Sequence, residues 1–319
     1  MDNLAPLHDC APDTAVHRRE VLEGLRRTPK ELPSKLFYDA AGSKLFDQIC
    51  ELEEYYPTRT ELGIMSRSVG EMVALLGDDC LLIEYGSGSS QKTHVLLDAW
   101  SGLAGYVPVD ISKQHLWQSA QRIAAEYPQL PVLPVAADYT QSFTLPDFDK
   151  PISHRVVYFP GSTIGNFKHE AAQAFLGQIA ELVGESGGLL IGVDLKKDPV
   201  VLHAAYNDAL GITAAFNLNM LTHLNRAVGS DFDVDAFRHR AIYNEVEGRI
   251  EMHLVSEKAQ VVAVAGEQIA FEEGEWIWTE SSYKYTLAEF ESLAGAVGWR
   301  VEQVWTDENK LFSVQYLSL

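Results

Sequence analysis

Cysteine is scarce in this chain of 319 residues: Cys10, Cys50 and Cys80 are the only three, and no CxxC pair occurs. That excludes a secreted scaffold held by disulfides and leads us to expect a reducing cytoplasm. Basic residues are also few, 25 Lys and Arg against 45 Asp and Glu, giving a formal charge of −20. No basic run exceeds two residues, as in Arg26-Arg27 and Lys196-Lys197. Such a surface repels phosphate backbones and anionic lipid, so neither nucleic acid nor membrane is expected as a partner. No apolar stretch approaches the ~20 residues of a membrane span. The ten histidines form no HxxxH or HExxH arrangement, and no metal is expected. No Gly-x-Ser-x-Gly nucleophile turn with a credible order of His and Asp stands out. Ser281-x-x-Lys284 has the spacing of serine acylases but none of their other motifs. Repeats and low-complexity linkers are absent. With 46% apolar residues, the chain has material for one large domain or two smaller ones.

What is present centres on Cys80-Leu-Leu-Ile-Glu-Tyr-Gly-Ser-Gly-Ser-Ser-Gln-Lys-Thr93. A short apolar run ends in Glu84 and is followed by Gly86 and Gly88, then by a helix-like segment. Glycines there let the backbone turn sharply and approach a ligand. The third glycine of the dinucleotide fingerprint would fall at Gln91, which disfavours a nicotinamide or flavin site. Acidic-x-Gly-x-Gly without that glycine resembles the first motif of S-adenosylmethionine (SAM) methyltransferases. Tyr106 to Val109 is a second apolar run ending in an acid, Asp110, where a carboxylate suits ribose hydroxyls. A third run, Pro131 to Ala137, ends in Asp138-Tyr139, a carboxylate and a ring suited to adenine.

Before this core, Asp13 opens a predicted helix through Val16, Val21, Leu22 and Leu25. The dense aromatics of 36–56, mixed with Asp39, Arg59 and Glu61, fit either core or a flap over a site. Glu61 to Leu76 reads as helix. Further strands are expected at 156–159, followed by Pro160-Gly-Ser-Thr-Ile-Gly-Asn-Phe167, and at Gly188 to Asp194, with helices at 114–126 and 169–184. Alternating strands and helices imply a parallel, doubly wound sheet whose ligands sit at the carboxyl ends of its strands. Residues 199–228 read as helical and 238–285 as β-rich, an insertion large enough for its own core. On a period of two, Trp278, Glu280, Ser282 and Lys284 share one strand face. Glu280 and Ser282 there suit a small ring carrying N–H groups. The chain finishes as a helix at 287–297, capped by Gly298, and two strands.

Five motifs carry a resemblance over nearly the whole chain: Phe37-Tyr-Asp-Ala-Ala-Gly-Ser, Glu54-Tyr-Tyr-Pro-Thr-Arg-Thr-Glu, Glu84-Tyr-Gly-Ser-Gly-Ser-Ser, Pro160-Gly-Ser-Thr-Ile-Gly-Asn-Phe and Thr279-Glu-Ser-Ser-Tyr-Lys. Together they are similar to the L-histidine Nα-methyltransferases of ergothioneine biosynthesis. The resemblance implies an α/β fold, a Rossmann-like SAM-binding domain (61–196 and 287–319) with a second α+β substrate-binding domain (1–60 and 197–286). It implies three methyl transfers from SAM, converting histidine to trimethylhistidine (hercynine). By the same resemblance Tyr56 lies at the imidazole, and Asn166 and Tyr206 hold the carboxylate and amine. Glu280 and Ser282 bind the ring nitrogens, Met252 and Phe46 pack nearby, Tyr38 stands by the amine, and Gly161 belongs to the substrate loop. On the cofactor side it implies Glu84, Gly86, Ser87, Gly88, Lys92, Asp110, Asp138 and Tyr139. A monomer is expected. Methylation of another amino acid's amine is the alternative, with Glu280 and Ser282 as discriminators. An oxidoreductase or a silent SAM-binding regulator are more distant rivals.

Overall fold

The computed structural model describes residues 3–11, 14–87, 91–148 and 150–319. Asp13 and Gly88 lie outside them. In chain order the elements are β1 (His8–Cys10), α1 (Thr14–Leu25), β2 (Lys30–Glu31), α2 (Ala40–Glu51), α3 (Tyr56–Leu76), β3 (Cys80–Tyr85), α4 (Gln91–Ala99), β4 (Gly105–Asp110), α5 (Lys113–Glu126), β5 (Val135–Ala137), β6 (His154–Phe159), α6 (His169–Val183) and β7 (Gly188–Asp194). Then follow α7 (Pro199–Tyr206), α8 (Ile212–Ala227), β8 (Phe237–Asn244), β9 (Arg249–Ser256), β10 (Gln260–Val264), β11 (Glu267–Phe271), β12 (Trp276–Tyr283), α9 (Leu287–Gly295), β13 (Arg300–Thr306) and β14 (Phe312–Ser318).

These form two units. The first comprises Met1–Ala11, Pro57–Lys196 and Lys284–Leu319; the second comprises Pro12–Tyr56 and Lys197–Tyr283. This division departs from the expected boundaries at both ends of the chain's insertions. Residues 3–11 go with the first unit because β1 pairs in parallel with β5. Residues 57–60 join it as the opening turn of α3. Lys284 does so as well: its Nζ lies 2.7 Å from a carboxylate oxygen of Asp194, both side chains 1% exposed.

The first unit holds an eight-stranded sheet in the order β1-β5-β4-β3-β6-β7-β14-β13. All pairings up to β7 are parallel, and β14 enters antiparallel between β7 and β13. Every residue of β3 and β7 is buried, which is why these strands read as unbroken apolar runs: a parallel strand is covered on both faces. The strand order reverses between β3 and β6. In such sheets ligands bind outside the carboxyl ends at that reversal, here at Tyr85-Gly86 and Pro160-Gly161. Helix α3 packs Ile64, Met65, Met72 and Leu76 with Leu82, Tyr158, Leu190 and Phe312 in one core cluster.

Strand β5 is shorter than the apolar run predicts. Pro131 and Pro134 carry no N–H for the ladder, leaving Val132 in isolated bridges and only Val135–Ala137 as strand.

The second unit is a four-stranded sheet, β2-β12-β9-β8, with a separate β10–β11 hairpin. Strand β2 runs parallel to β12, and β8, β9 and β12 are antiparallel. Cross-strand partners share a face. Glu280 lies opposite Met252, and Ser282 opposite Ile250, so these two do look the same way. Trp278 does not. It lies opposite His253, and Thr279 is the extra residue of a β-bulge. The bulge turns Trp278 to the other face, where the Arg249 guanidinium sits 4.5 Å from its ring centre. Lys284 is past the strand's end.

Candidate active site

In the first unit, Gly86 takes φ +75°, and a Cβ built there would meet nothing within 4 Å among the described residues. Its amide donates to Val109 O at 2.9 Å, tying the end of β3 to β4. Ser87, next to it, is buried. Asp110 terminates β4 half-buried, and Oδ1 accepts from the Ser112 amide at 2.8 Å. Burial raises its pKa, opposed by that amide and by His115. Asp138 follows β5, and its Oδ1 accepts from the Thr140 amide and hydroxyl at 3.1 and 2.6 Å. Tyr139 stacks on Tyr85, centroids 5.3 Å apart and planes 7° from parallel, with Phe159 and Phe175 beside it.

The loop after β6 is held at several points. Gly161 and Ser162 have φ of +77° and +56°, and Ser162 Oγ accepts from the Asp194 amide at 2.8 Å. Thr163 Oγ1 donates to Pro160 O at 3.1 Å, and Phe167 stacks on Phe175 at 4.9 Å. Asn166 closes the 3₁₀ turn between them, half-buried.

Glu84 behaves differently from a ligand-reading acid. It is 2% exposed, and its carboxylate accepts from Thr93 Oγ1 at 2.8 Å and from the Tyr106 hydroxyl. It thus ties β3 to α4 and β4, beneath the Gly86 turn.

In the second unit an aromatic cluster is built from the motif Phe37-Tyr-Asp-Ala-Ala-Gly-Ser. Asp39 caps α2, its carboxylate accepting from the Gly42 amide at 2.7 Å and from Asn219 Nδ2 at 2.8 Å. A Cβ on Gly42 would fall 1.7 Å from Phe37 O, so only glycine lets α2 come this close. Phe37 stacks on Phe216 at 4.5 Å. Around Phe216 stand Tyr38 at 6.0 Å and Phe46 at 5.9 Å; Phe46 in turn meets Tyr55 at 6.4 Å, and Tyr55 meets Tyr206 at 6.3 Å.

The hydroxyl of Tyr206 donates to Ser282 Oγ at 2.9 Å. Its backbone carbonyl accepts from His239 Nε2 at 3.0 Å, while His239 Nδ1 accepts from Asn217 Nδ2 at 2.9 Å. Burial lowers the His239 pKa, consistent with that neutral tautomer. Asn217 Oδ1 in turn accepts from Thr279 Oγ1 at 2.7 Å. The bulge residue therefore anchors, through two side chains, the helix end that carries Tyr206.

Tyr56 was expected at the imidazole, but the structure gives the ring contacts of this cluster to Tyr55. Tyr56 instead accepts from Lys197 Nζ at 2.6 Å and lies under that ammonium, 4.4 Å from the ring centre. The Tyr55 phenol is pushed well above its ordinary pKa by burial, reinforced by Tyr206, Cys50 and Glu280. It stays a neutral hydroxyl at any physiological pH. Neither Tyr55 nor Phe216 is among the residues expected from the sequence, although Tyr55 stands beside Tyr56 in Glu54-Tyr-Tyr-Pro-Thr-Arg-Thr-Glu.

Among the described residues no group of three or more His, Cys, Asp or Glu is placed to hold a metal ion. Nor is any helix among them long and apolar enough to cross a membrane.

The family model for histidine-specific, SAM-dependent methyltransferases matches residues 17–319. This chain belongs to that family. The histidine N-alpha-methyltransferase of Mycolicibacterium smegmatis is 42% identical over 305 residues, 93% of this chain and 94% of that one. Its namesake in Mycobacterium tuberculosis is 40% identical over 297 residues, 91% of each chain. Ergothioneine biosynthesis protein 1 of Neurospora crassa is 29% identical over 289 residues, 88% of this chain and 32% of that longer protein.

A SAM-dependent histidine methyltransferase takes SAM as its methyl donor. At the carboxyl ends of its strands the first unit carries the Gly86 turn, an acid at the end of β4 and an acid with a ring after β5.

Glu84 makes one consequence of this methyltransferase architecture measurable. Burial pushes its pKa from the ordinary 4.5 up to about 7, against the lowering effect of Tyr106, Thr93 and Lys92. Between those values the folded state holds a proton that the unfolded state has lost. The residue's contribution to stability therefore falls as pH rises through that window and is flat above it. Glu84→Gln should gain on the wild type by up to about 3 kcal/mol above pH 7, and the gap should close near pH 4. Urea unfolding at pH 4, 6 and 8 checks this; an equal gap at every pH would show that the buried charge is not the cause.

Proposed function

We propose that the protein transfers methyl groups from SAM to the α-amine of L-histidine, three times in succession, to give Nα,Nα,Nα-trimethyl-L-histidine (hercynine) for ergothioneine biosynthesis. The observation that carries this reading is the second unit's combination of an aromatic cluster with Met252, Glu280 and Ser282 on one sheet face. A polar ring with N–H groups finds an acceptor in Glu280 and a hydroxyl in Ser282. Tyr38, Phe46, Tyr55 and Phe216 offer ring faces to an amine that ends as a permanent cation. The names of the relatives support the same acceptor.

SAM supplies an electrophilic methyl carbon on a sulfonium. Each transfer forms an N–C bond with the amine lone pair and breaks the S–C bond, whose electrons remain on sulfur as a neutral thioether. The first two products must lose a proton before the next attack; the third has none to lose. Little acid–base machinery is required, so this chain's task is alignment and exclusion of water. Tyr206 orients the head group, its hydroxyl held by Ser282 and its backbone by His239. Tyr38 stands by the amine, and the amide of Asn166, on its pinned loop, orients it. The imidazole role expected of Tyr56 passes in this reading to Tyr55. In the first unit Asp110 takes the ribose hydroxyls, Asp138 and Tyr139 the adenine, and Gly86, Ser87, Gly88 and Lys92 the methionine end. Glu84 serves as the brace beneath them. The reading extends to a cytoplasmic monomer without nucleic acid or membrane partners, supported by the acidic charge of −20.

The test is mass spectrometry of histidine incubated with SAM and the protein, with mass added in one, two and three methyl steps. Activity should rise with pH through the range in which the substrate's α-amine loses its proton, because only the lone pair attacks. A histidine blocked at the α-amine should remain unmethylated. Methyl groups on a ring nitrogen would overturn the orientation given to Asn166 and Tyr206.

A further inference from the structure

Helix α3 presents Met65, Met72 and Leu76 to the sheet on one stripe, and Glu61, four residues before Met65, occupies the same stripe. It is 0% exposed. A carboxylate in that position is costly unless paired and hydrogen-bonded, and an apolar residue would fill the stripe more cheaply. The pairing is complete. Lys92 Nζ donates to Glu61 Oε2 at 2.5 Å. The Gly161 amide donates to both carboxylate oxygens, at 3.1 and 2.9 Å. On β7, a Cβ at Gly192 would fall 2.2 Å from Glu61 Oε1, so that strand lacks a side chain where the carboxylate sits.

Two of these partners belong to parts of the site that are distant in sequence. Lys92 is the second residue of α4, just after the glycine turn, and Gly161 opens the loop that ends in Asn166. Two successive left-handed residues, Gly161 and Ser162, shape that loop, and its anchors to the body of the unit include the Glu61–Gly161 and Ser162–Asp194 bonds.

We propose that Glu61 is a positioning residue that locks the Lys92 ammonium and the Asn166 loop into one rigid piece, acting on SAM binding through Lys92 and on turnover through Gly161. The proposal rests on the SAM-dependent reading of the first unit and adds to it a residue that touches neither substrate.

Glu61→Gln separates the two actions. Its amide oxygen still accepts from Gly161, but its charge no longer holds the ammonium. Calorimetry with SAM should show affinity weakened about 10-fold, with kcat for histidine within about threefold of wild type. Lys92→Met should weaken SAM binding by a similar factor, and the double variant Glu61→Gln/Lys92→Met should be no weaker than Lys92→Met alone, because Glu61 acts through that lysine. Glu61→Ala, where it folds, should also lower kcat about 10-fold by releasing the loop. SAM affinity of Glu61→Gln within twofold of wild type would overturn the proposal. So would a full, independent effect of Glu61→Gln in the Lys92→Met background, the mark of a merely structural carboxylate. If wild type binds SAM yet leaves histidine unmethylated, the histidine reading falls, while the affinity comparison still decides the role of Glu61.

Discussion

Glu280→Ala should lower kcat/KM for histidine by roughly 10- to 150-fold, the loss of a charged acceptor worth about 1.5–3 kcal/mol. Glu280 lies directly opposite Met252 on β9, and Ser282 follows two residues later on the same face. Its own carbonyl accepts from Trp278 Nε1 at 2.9 Å, a bond the substitution leaves in place. The variant should therefore fold and lose a side-chain function. A site built to hydrogen-bond a polar ring rejects an apolar ring chiefly through the group that ring leaves unpaired. Removing the carboxylate should accordingly relax discrimination against phenylalanine and tryptophan. SAM affinity should stay within error of wild type, since Glu280 lies in the second unit and the Rossmann strands are in the first. The measurement is kcat/KM for histidine and tryptophan side by side in both proteins. An equal fall for both would mean that Glu280 serves the shared head group or the fold.

Asp110→Ala should weaken SAM binding by roughly 10- to 150-fold, from the loss of charge-assisted bonds to the ribose worth about 1.5–3 kcal/mol, and should change histidine affinity far less. The side chain ends β4, and its known amide partner, Ser112, occupies Oδ1. Since burial raises its pKa, the carboxylate is destabilised until a donor reaches it, which a diol supplies. Calorimetry with SAM that finds wild-type affinity would remove Asp110 from the cofactor site.

The parallel core was legible because its physics is local. β3, β4, β6 and β7 are covered on both faces and so appear as short apolar runs, each ended by a turn residue or an acid. β1 and β2 left no signal: three and two residues, polar in sequence, are strands only because a neighbour's edge recruits them. The face of Trp278 was misread because alternation holds only while the register does, and the Thr279 bulge reverses it. In the site, acids at strand ends were readable from spacing. Which of Tyr55 and Tyr56 meets the aromatic cluster was not, since Tyr55 precedes α3 and Tyr56 opens it, and the contacts of each ring, Phe46 and Tyr206 for one and Lys197 for the other, come from the tertiary fold. Glu61 did carry a signal, a charge on an apolar stripe, but the reading of 36–61 as core or flap offered no partner for it. That partner came from residues 92 and 161, which only the tertiary fold brings to it.

The base of the insertion has a consequence for how such chains diverge. Leu195 and Tyr285 are bridged in parallel, the Lys196 amide donates to Tyr285 O at 3.0 Å, and the Tyr285 amide donates to Asp194 O at 3.1 Å. The buried Asp194–Lys284 pair sits at the same place. The excursion 197–283 thus leaves and rejoins the first unit through a stem that is already tied shut. Once a stem is closed, the length of what hangs from it matters only logarithmically, about 0.6 kcal/mol per doubling. Insertions and deletions within 197–283 therefore reach the sheet of the first unit only through that stem, and chains can differ in the length of the excursion at little cost to that sheet.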